Sequence, residues 1–224
     1  MENFSIFDVI GPVMIGPSSS HTAGASKIGY MAAQIFEHEI NKVDFYLHGS
    51  FYKTHSGHGT DRALLAGIMK FKPDDRNIRY AFKIADKEGI EYRFIEEDLG
   101  EVHPNSVKIV MYSKDGETEQ IIGSSVGGGR ILIVKIGDTD VEVDGDYSTL
   151  ITKHYDKPGM IAKVSTILSK YKINIAFMKV FRQMKGANAS LIVQVDDFIG
   201  EDVISTIKEA EGIIDVKFIK SLDM

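Results

Sequence analysis

The last third of the chain constrains the fold most, because its apolar residues change period in a fixed order. Leu150 to His154 is strand-like, Asp156-Lys157-Pro158-Gly159 is a turn, and Met160, Ile161, Val164, Ile167 and Leu168 form the apolar stripe of a helix. Pro158 stands where a missing N–H is harmless, and Gly159 lets the backbone approach a neighbour closely. Ile173 to Arg182 alternates as a second strand. A turn at Lys185-Gly186 leads to Ala187 to Val195, where Ala189, Leu191, Val193 and Val195 share one face, so the pair is predicted to be a hairpin. Gly200 precedes a helix carrying Val203, Ile204 and Ile207, and Ile213 to Ile219 closes the pattern as a strand. The order strand, helix, strand, strand, helix, strand is the ferredoxin-like βαββαβ arrangement, placed at residues 148–222.

Residues 1–146 read as a separate mixed α/β domain, which makes the whole chain α+β. Thr22 to Glu39 is a predicted helix, Val43 to His48 a strand, and Asp61 to Lys70 a helix with Leu64, Leu65 and Ile68 inward. Arg79 to Lys87 is a third predicted helix. Val107, Ile109 and Met111 alternate up to Asp115-Gly116, a dipeptide suited to a tight hairpin turn; Ile121 and Ile122 lie on the returning strand, and Ile131 to Ile136 forms another. The polar Asp144-Gly145-Asp146 is read as the linker.

Composition removes several function classes. The 224 residues, 43% of them hydrophobic, can bury a core, while 26 Lys and Arg against 32 Asp and Glu give a net charge of -6 with no dense basic run. Nucleic acid and membrane are therefore not expected partners. Met1 to Pro12 lacks the basic flank of a leader, and no apolar stretch approaches the roughly 20 residues of a membrane span, so a cytoplasmic chain is expected. The absence of cysteine excludes disulfides, thiolate zinc sites, a cysteine nucleophile and cysteine ligation of an iron–sulfur cluster by this chain.

Two polar clusters precede predicted helices. In Gly16-Pro17-Ser18-Ser19-Ser20-His21-Thr22-Ala23-Gly24-Ala25, hydroxyls and a titratable ring crowd a helix N-terminus, where free N–H groups and the dipole favour an anion such as a carboxylate. The same string is also explained by one serine capping the helix and the others facing solvent. In His55-Ser56-Gly57-His58-Gly59-Thr60-Asp61, read as loop running into helix, glycines leave His58 accessible and Thr60 or Asp61 can cap; a surface histidine without function is the plainer alternative. Gly127-Gly128-Gly129 permits close approach of a ligand but lacks the spacing of a dinucleotide loop, and His103-Pro104-Asn105 is either a further polar group for the same cleft or a turn. No pair such as HExxH appears, and His55 with His58, spaced as they are in a glycine loop, are a poor metal pair, so no metal ligand is assigned.

At Ile15-Gly16-Pro17-Ser18-Ser19-Ser20-His21-Thr22 the sequence resembles the iron–sulfur L-serine dehydratases, or L-serine ammonia-lyases. The resemblance continues in order through Gly49-Ser50, Gly57-His58-Gly59-Thr60-Asp61, His103-Pro104-Asn105 and Ser125-Val126-Gly127-Gly128-Gly129, covering residues 3 to 136. Where some relatives have a second histidine after the one matching His58, this chain has Gly59. The resemblance implies a [4Fe-4S] cluster acting as Lewis acid, held by cysteines of an α part, with no pyridoxal phosphate. None of the α sequence is present, so the chain is expected to be the β subunit of the two-subunit type, with the α subunit as obligatory partner. It further implies His58 and His21 as catalytic residues. Ser18, Ser19, Ser20, Thr22, Thr60, Asn105, Gly127, Gly128 and Gly129 are then substrate-binding for L-serine, deaminated to pyruvate and ammonia. The C-terminal third resembles an ACT domain: His154-Tyr155-Asp156-Lys157-Pro158-Gly159 and Ile173-Asn174-Ile175-Ala176 are similar to the serine-sensing ACT domain of phosphoglycerate dehydrogenase, with Asp156 where that sensor has asparagine. His154, Asp156, Gly159 and Asn174 are the implied effector residues, L-serine a candidate effector, and dimerisation through this domain is expected. A purely regulatory amino-acid-binding subunit is the alternative function.

Overall fold

A computed structural model describes residues 13–182, 184 and 186–222. Met1 to Pro12, Gln183 and Lys185 lie outside the described residues, and with them the reading of the amino terminus and half of the Lys185-Gly186 turn. The chain divides into two compact units between Asp138 and Thr139.

The first unit opens with a π-helical turn, Ser19–Gly24, that runs directly into α1 (Ala25–Phe36). There follow β1 (Ile40–Leu47), α2 (Gly49–His58), α3 (Thr60–Ile68), a 3-10 turn (Arg76–Tyr80), α4 (Ala81–Glu88), β2 (Glu91–Glu96), β3 (Ser106–Ser113), β4 (Thr118–Gly127) and β5 (Arg130–Ile136). Strands run in the order β2-β1-β3-β4-β5, with β1 parallel to β2 and the remaining pairs antiparallel. Alternation explains the core: Val43, Phe45, Leu47, Val107, Ile109 and Met111 are fully buried. The α1 and α3 helices pack backbone to backbone, since a Cβ on Gly67 would collide with the Ser26 carbonyl oxygen and one on Gly29 with that of Leu64. Gly123 likewise makes room on β4 for Ile28.

Three expectations change here. The stretch around His55 and His58 is helix, not loop: α2 ends at His58, and only Gly59, left-handed at φ 74°, separates it from α3. Neither Thr60 nor Asp61 caps α3. Strand β2 was not foreseen, although Tyr92 and Phe94 alternate with charged residues; Phe94 stacks on Phe45 at 4.9 Å.

The second unit begins with β6 (Thr139–Val143), followed by β7 (Ser148–Tyr155), α5 (Met160–Lys170), β8 (Ile175–Arg182), β9 (Asn188–Val195), α6 (Glu201–Lys208) and β10 (Ile213–Ile219). Asp144-Gly145-Asp146 lies between β6 and β7, where the Asp146 N–H donates to the Asp144 carboxylate at 3.0 Å. The four-stranded sheet has the order β10-β7-β9-β8, the ferredoxin-like topology. Its core is Leu150, Val164, Leu168, Leu191, Val193, Val195, Ile199, Val203 and Ile207. Met160, Val164 and Leu168 face inward as the stripe predicts, but Ile161 is exposed. Gly159 meets no close neighbour; its left-handed backbone (φ 91°) is what calls for glycine.

Candidate active site

The site is built where the first helix begins. Ser18 is extended, and its hydroxyl accepts the His21 N–H at 3.2 Å, capping the turn. The Ser18 carbonyl accepts both the Thr22 N–H, at 2.9 Å, and the Thr22 hydroxyl. The wide turn fits because Gly24 has no side chain: a Cβ there would collide with the Ser125 hydroxyl on β4. A π-turn of this kind, opening a helix beside a serine and histidine cluster, is a feature often met at functional sites.

His21 is fixed at both ring nitrogens. Nδ1 lies 3.3 Å from Ser18 Oγ and Nε2 lies 3.1 Å from Ser50 Oγ. Ser50 sits in the first turn of α2, and its N–H donates to the Pro104 carbonyl at 2.8 Å. The Phe51 ring lies 5.5 Å from that of His21, and the His58 ring meets His21 edge-on at 4.9 Å and 81°. Burial first, and the nearness of His58 second, hold His21 below the ordinary imidazole value. A shift in this direction favours the neutral ring, in which one nitrogen donates and the other accepts. His58, at the end of α2, is exposed. A neutral imidazole between two hydroxyls, with a second imidazole open to a substrate, can relay or accept a proton.

Other expected residues are distributed around this centre. Ser19 and Ser20 are half-buried in the turn. Thr60 is fully buried, and its hydroxyl and that of Ser125 find no hydrogen-bond partner among the described residues. Asp61 is buried, its carboxyl pushed up chiefly by that burial, and it accepts the Arg62 N–H at 2.7 Å. Asn105 reaches the site through its backbone, its carbonyl accepting the Ser125 N–H at 2.9 Å. Gly127, Gly128 and Gly129 form the turn from β4 to β5, all at positive φ, and what β4 brings against the π-turn is Ser125. Sequence reasoning does not single out Ser50, Phe51 or Ser125 as site residues; Ser50 and Ser125 lie beside glycines in the stretches that carry the family resemblance.

The expected effector residues fall at two ends of the second sheet. His154 is buried near the end of β7, paired with Ala189, while Asn174 precedes β8, whose first residue Ile175 pairs with Val195. Burial lowers the His154 pKa. The Asp156 carboxylate accepts the Gly186 N–H at 2.9 Å and pairs with Arg182 at 3.3 Å, interactions that hold it below the usual carboxylate range, the amide most strongly. Asn174 donates to Asp196 at 2.6 Å.

The fold and site define a class: an α/β unit with a serine and histidine site, followed by an ACT domain, whose family model matches residues 148–212. The family model described as serine dehydratase beta chain matches residues 5–93, which include the π-turn and both histidines. The chain is 42% identical over 221 residues to the L-serine dehydratase, beta chain, of Peptoniphilus asaccharolyticus, across 98% of this chain and 100% of that one. It is 40% identical over 216 residues to a probable L-serine dehydratase, beta chain, of Bacillus subtilis, across 96% and 98%. The chain belongs to the L-serine dehydratase β-chain family. It is also 30% identical over 202 residues to the D-3-phosphoglycerate dehydrogenase of Methanocaldococcus jannaschii, covering 87% of this chain and 37% of that one.

Proposed function

We propose that this chain is the β subunit of an L-serine dehydratase that converts L-serine to pyruvate and ammonia in the cytoplasm together with an α subunit. The observation that carries this reading is His21 clamped between Ser18 and Ser50 beside an open His58. A [4Fe-4S] cluster does not fit this chain's own donors: it has no cysteine, and no group of three potential ligands gathers among the described residues. The cluster belongs to the α subunit in this reading and supplies Lewis acidity to the departing hydroxyl.

What this chain supplies is binding and proton handling. Ser18 and Thr22 shape the turn and fix His21; Ser19 and Ser20 orient the amino acid, and His58 moves a proton. Loss of water from serine leaves aminoacrylate, which tautomerises to the imine; addition of water then releases ammonia and pyruvate. The ACT domain supplies dimerisation and an amino-acid sensor, with His154, Asp156 and Gly159 of one copy facing Asn174 of another and L-serine as the candidate effector. A second reading, a regulatory subunit only, draws support from the phosphoglycerate dehydrogenase match, because most of this chain recurs there within an enzyme of a different name.

The test is reconstitution. The isolated chain should be colourless and inactive, and anaerobic mixing with a cysteine-bearing α chain should produce pyruvate from L-serine. Robust pyruvate formation by the pure chain would sink the proposal, and a mixture that stays inactive while the chain still binds serine would favour the regulatory reading.

A further inference from the structure

Beside the serine turn lies a cavity of about 230 Å³ that the reading above leaves without a task. Its walls are Ile15, Gly16, Pro17, Thr22, the end of α2 from Ser56 to His58 and the following Gly59, closed by Arg62 of α3 and by Ile78 and Arg79 of the 3-10 turn. The charge of this lining is one-sided. Two arginines and His58 line it, and no aspartate or glutamate does. Neither arginine makes a side-chain ion pair with a carboxylate among the described residues; Asp61, next to Arg62 in the chain, is drawn to its charge but lies outside the lining, and the Arg62 guanidinium carbon lies 5.7 Å from the centre of the Phe82 ring. Elsewhere in the same unit a guanidinium does find its anion: Arg93 binds Asp44 through two bonds of 2.7 Å.

We propose that Arg62 and Arg79 form a clamp for the carboxylate of a small amino acid or keto acid. A planar guanidinium presents paired N–H donors that match the two oxygens of a carboxylate, and two arginines lining a cavity that no acid lines suit an anion there. Ile15, Pro17 and Ile78 supply an apolar wall for a short carbon chain. His58 belongs to both places: it lines the cavity and its ring lies 4.9 Å from that of His21. A molecule anchored by its carboxylate at the arginines thus lies against the imidazole assigned to proton transfer. This inference rests on the reading that L-serine binds at this end of the unit; it assigns the carboxylate to the arginines and leaves the ammonium and hydroxyl to the serine turn and the partner.

The test is side-chain NMR of the full chain, following the arginine Nε–H signals during titration. L-serine, pyruvate, L-serinamide and inorganic phosphate are the probes. L-serine or pyruvate should shift the Arg62 and Arg79 signals at millimolar concentration, and L-serinamide, which lacks the carboxylate, should not. Which of the two acids binds more tightly separates the substrate's carboxylate from the product's. Both arginines are exposed, so Arg62→Gln and Arg79→Gln should fold normally and each weaken binding at least about tenfold, with lysine at either position restoring only part of it. No shift from either acid, an equal response to L-serinamide, or tighter binding of phosphate would overturn the inference. Because the readout is binding by this chain, its failure is separate from failure of the reconstituted pair to deaminate serine.

Discussion

At the π-turn of the first unit polar groups converge and several are left short of partners, whereas those at the loop end of the second are tied to one another. Around the π-turn, the Thr60 and Ser125 hydroxyls are buried unpaired, and two arginines line a cavity that no acid lines. In the ferredoxin-like unit, Asp156 is held by Arg182 and the Gly186 amide, and Asn174 by Asp196. Buried polar groups without partners are costly, and functional sites are where folds retain them. The contrast assigns chemistry to the first unit and leaves regulation, as proposed above, to the second.

The largest effect that tests this division is on turnover. His58→Ala in the enzyme reconstituted with an α chain should lower kcat about 10²–10³-fold, within the range for loss of a proton-transfer group. Because His58 is exposed, its melting temperature should barely move. A rise in KM at unchanged kcat would reduce His58 to a binding role.

Stability should break at the glycine contact between α1 and α3. Gly67→Ala places a methyl group against backbone atoms of Ser26 and Tyr30 and should cost about 1–3 kcal/mol in urea denaturation, as overpacking does. An unchanged midpoint would mean that the helices separate freely. Gly159→Ala, at a left-handed position with open space, should cost about 1–2 kcal/mol from backbone strain alone.

Smaller and of opposite sign is Ser125→Ala. Removing a buried, unpaired hydroxyl should leave stability unchanged or raise it by up to about 1 kcal/mol, while turnover of the reconstituted enzyme falls. Loss of stability together with full activity would make Ser125 an ordinary core residue.

The smallest effect is on pH dependence. His21 and His154 both have pKa values below 6.5 in the folded chain, so just below that pH the unfolded chain binds more protons. Stability should therefore rise with pH through that window and fall as pH drops below 6.5. Thermal melts from pH 7.5 to 5.5 check this, and His154→Gln should flatten part of the slope. A slope of the opposite sign would place both rings in the charged form.

The second unit was legible because its core follows from period alone: Leu191, Val193 and Val195 alternate, and Met160, Val164 and Leu168 recur at helical spacing. The first unit was harder because tertiary contacts decide its details. Nothing local says that glycine-flanked His58 ends a helix, or that β2, with Glu91 and Arg93 on its surface, forms a strand; Arg93 stays there because Asp44 of the neighbouring strand accepts it. The site was legible as a string of residue types, and His21 stood out within it. Its partner Ser50 is brought in from 29 residues away, and Arg62 and Arg79 converge only once α3 and the 3-10 turn have packed, which sequence spacing does not reveal.

The division of labour is tested most directly by comparing His21→Ala with Asn174→Ala in the reconstituted enzyme at saturating L-serine, with circular dichroism confirming that both chains fold. His21→Ala should lose about 100-fold or more in kcat, while Asn174→Ala keeps kcat and loses only the strengthening of dimerisation by the amino-acid effector. Full turnover by His21→Ala, or an equal collapse of kcat in Asn174→Ala, would contradict the assignment of chemistry to the first unit.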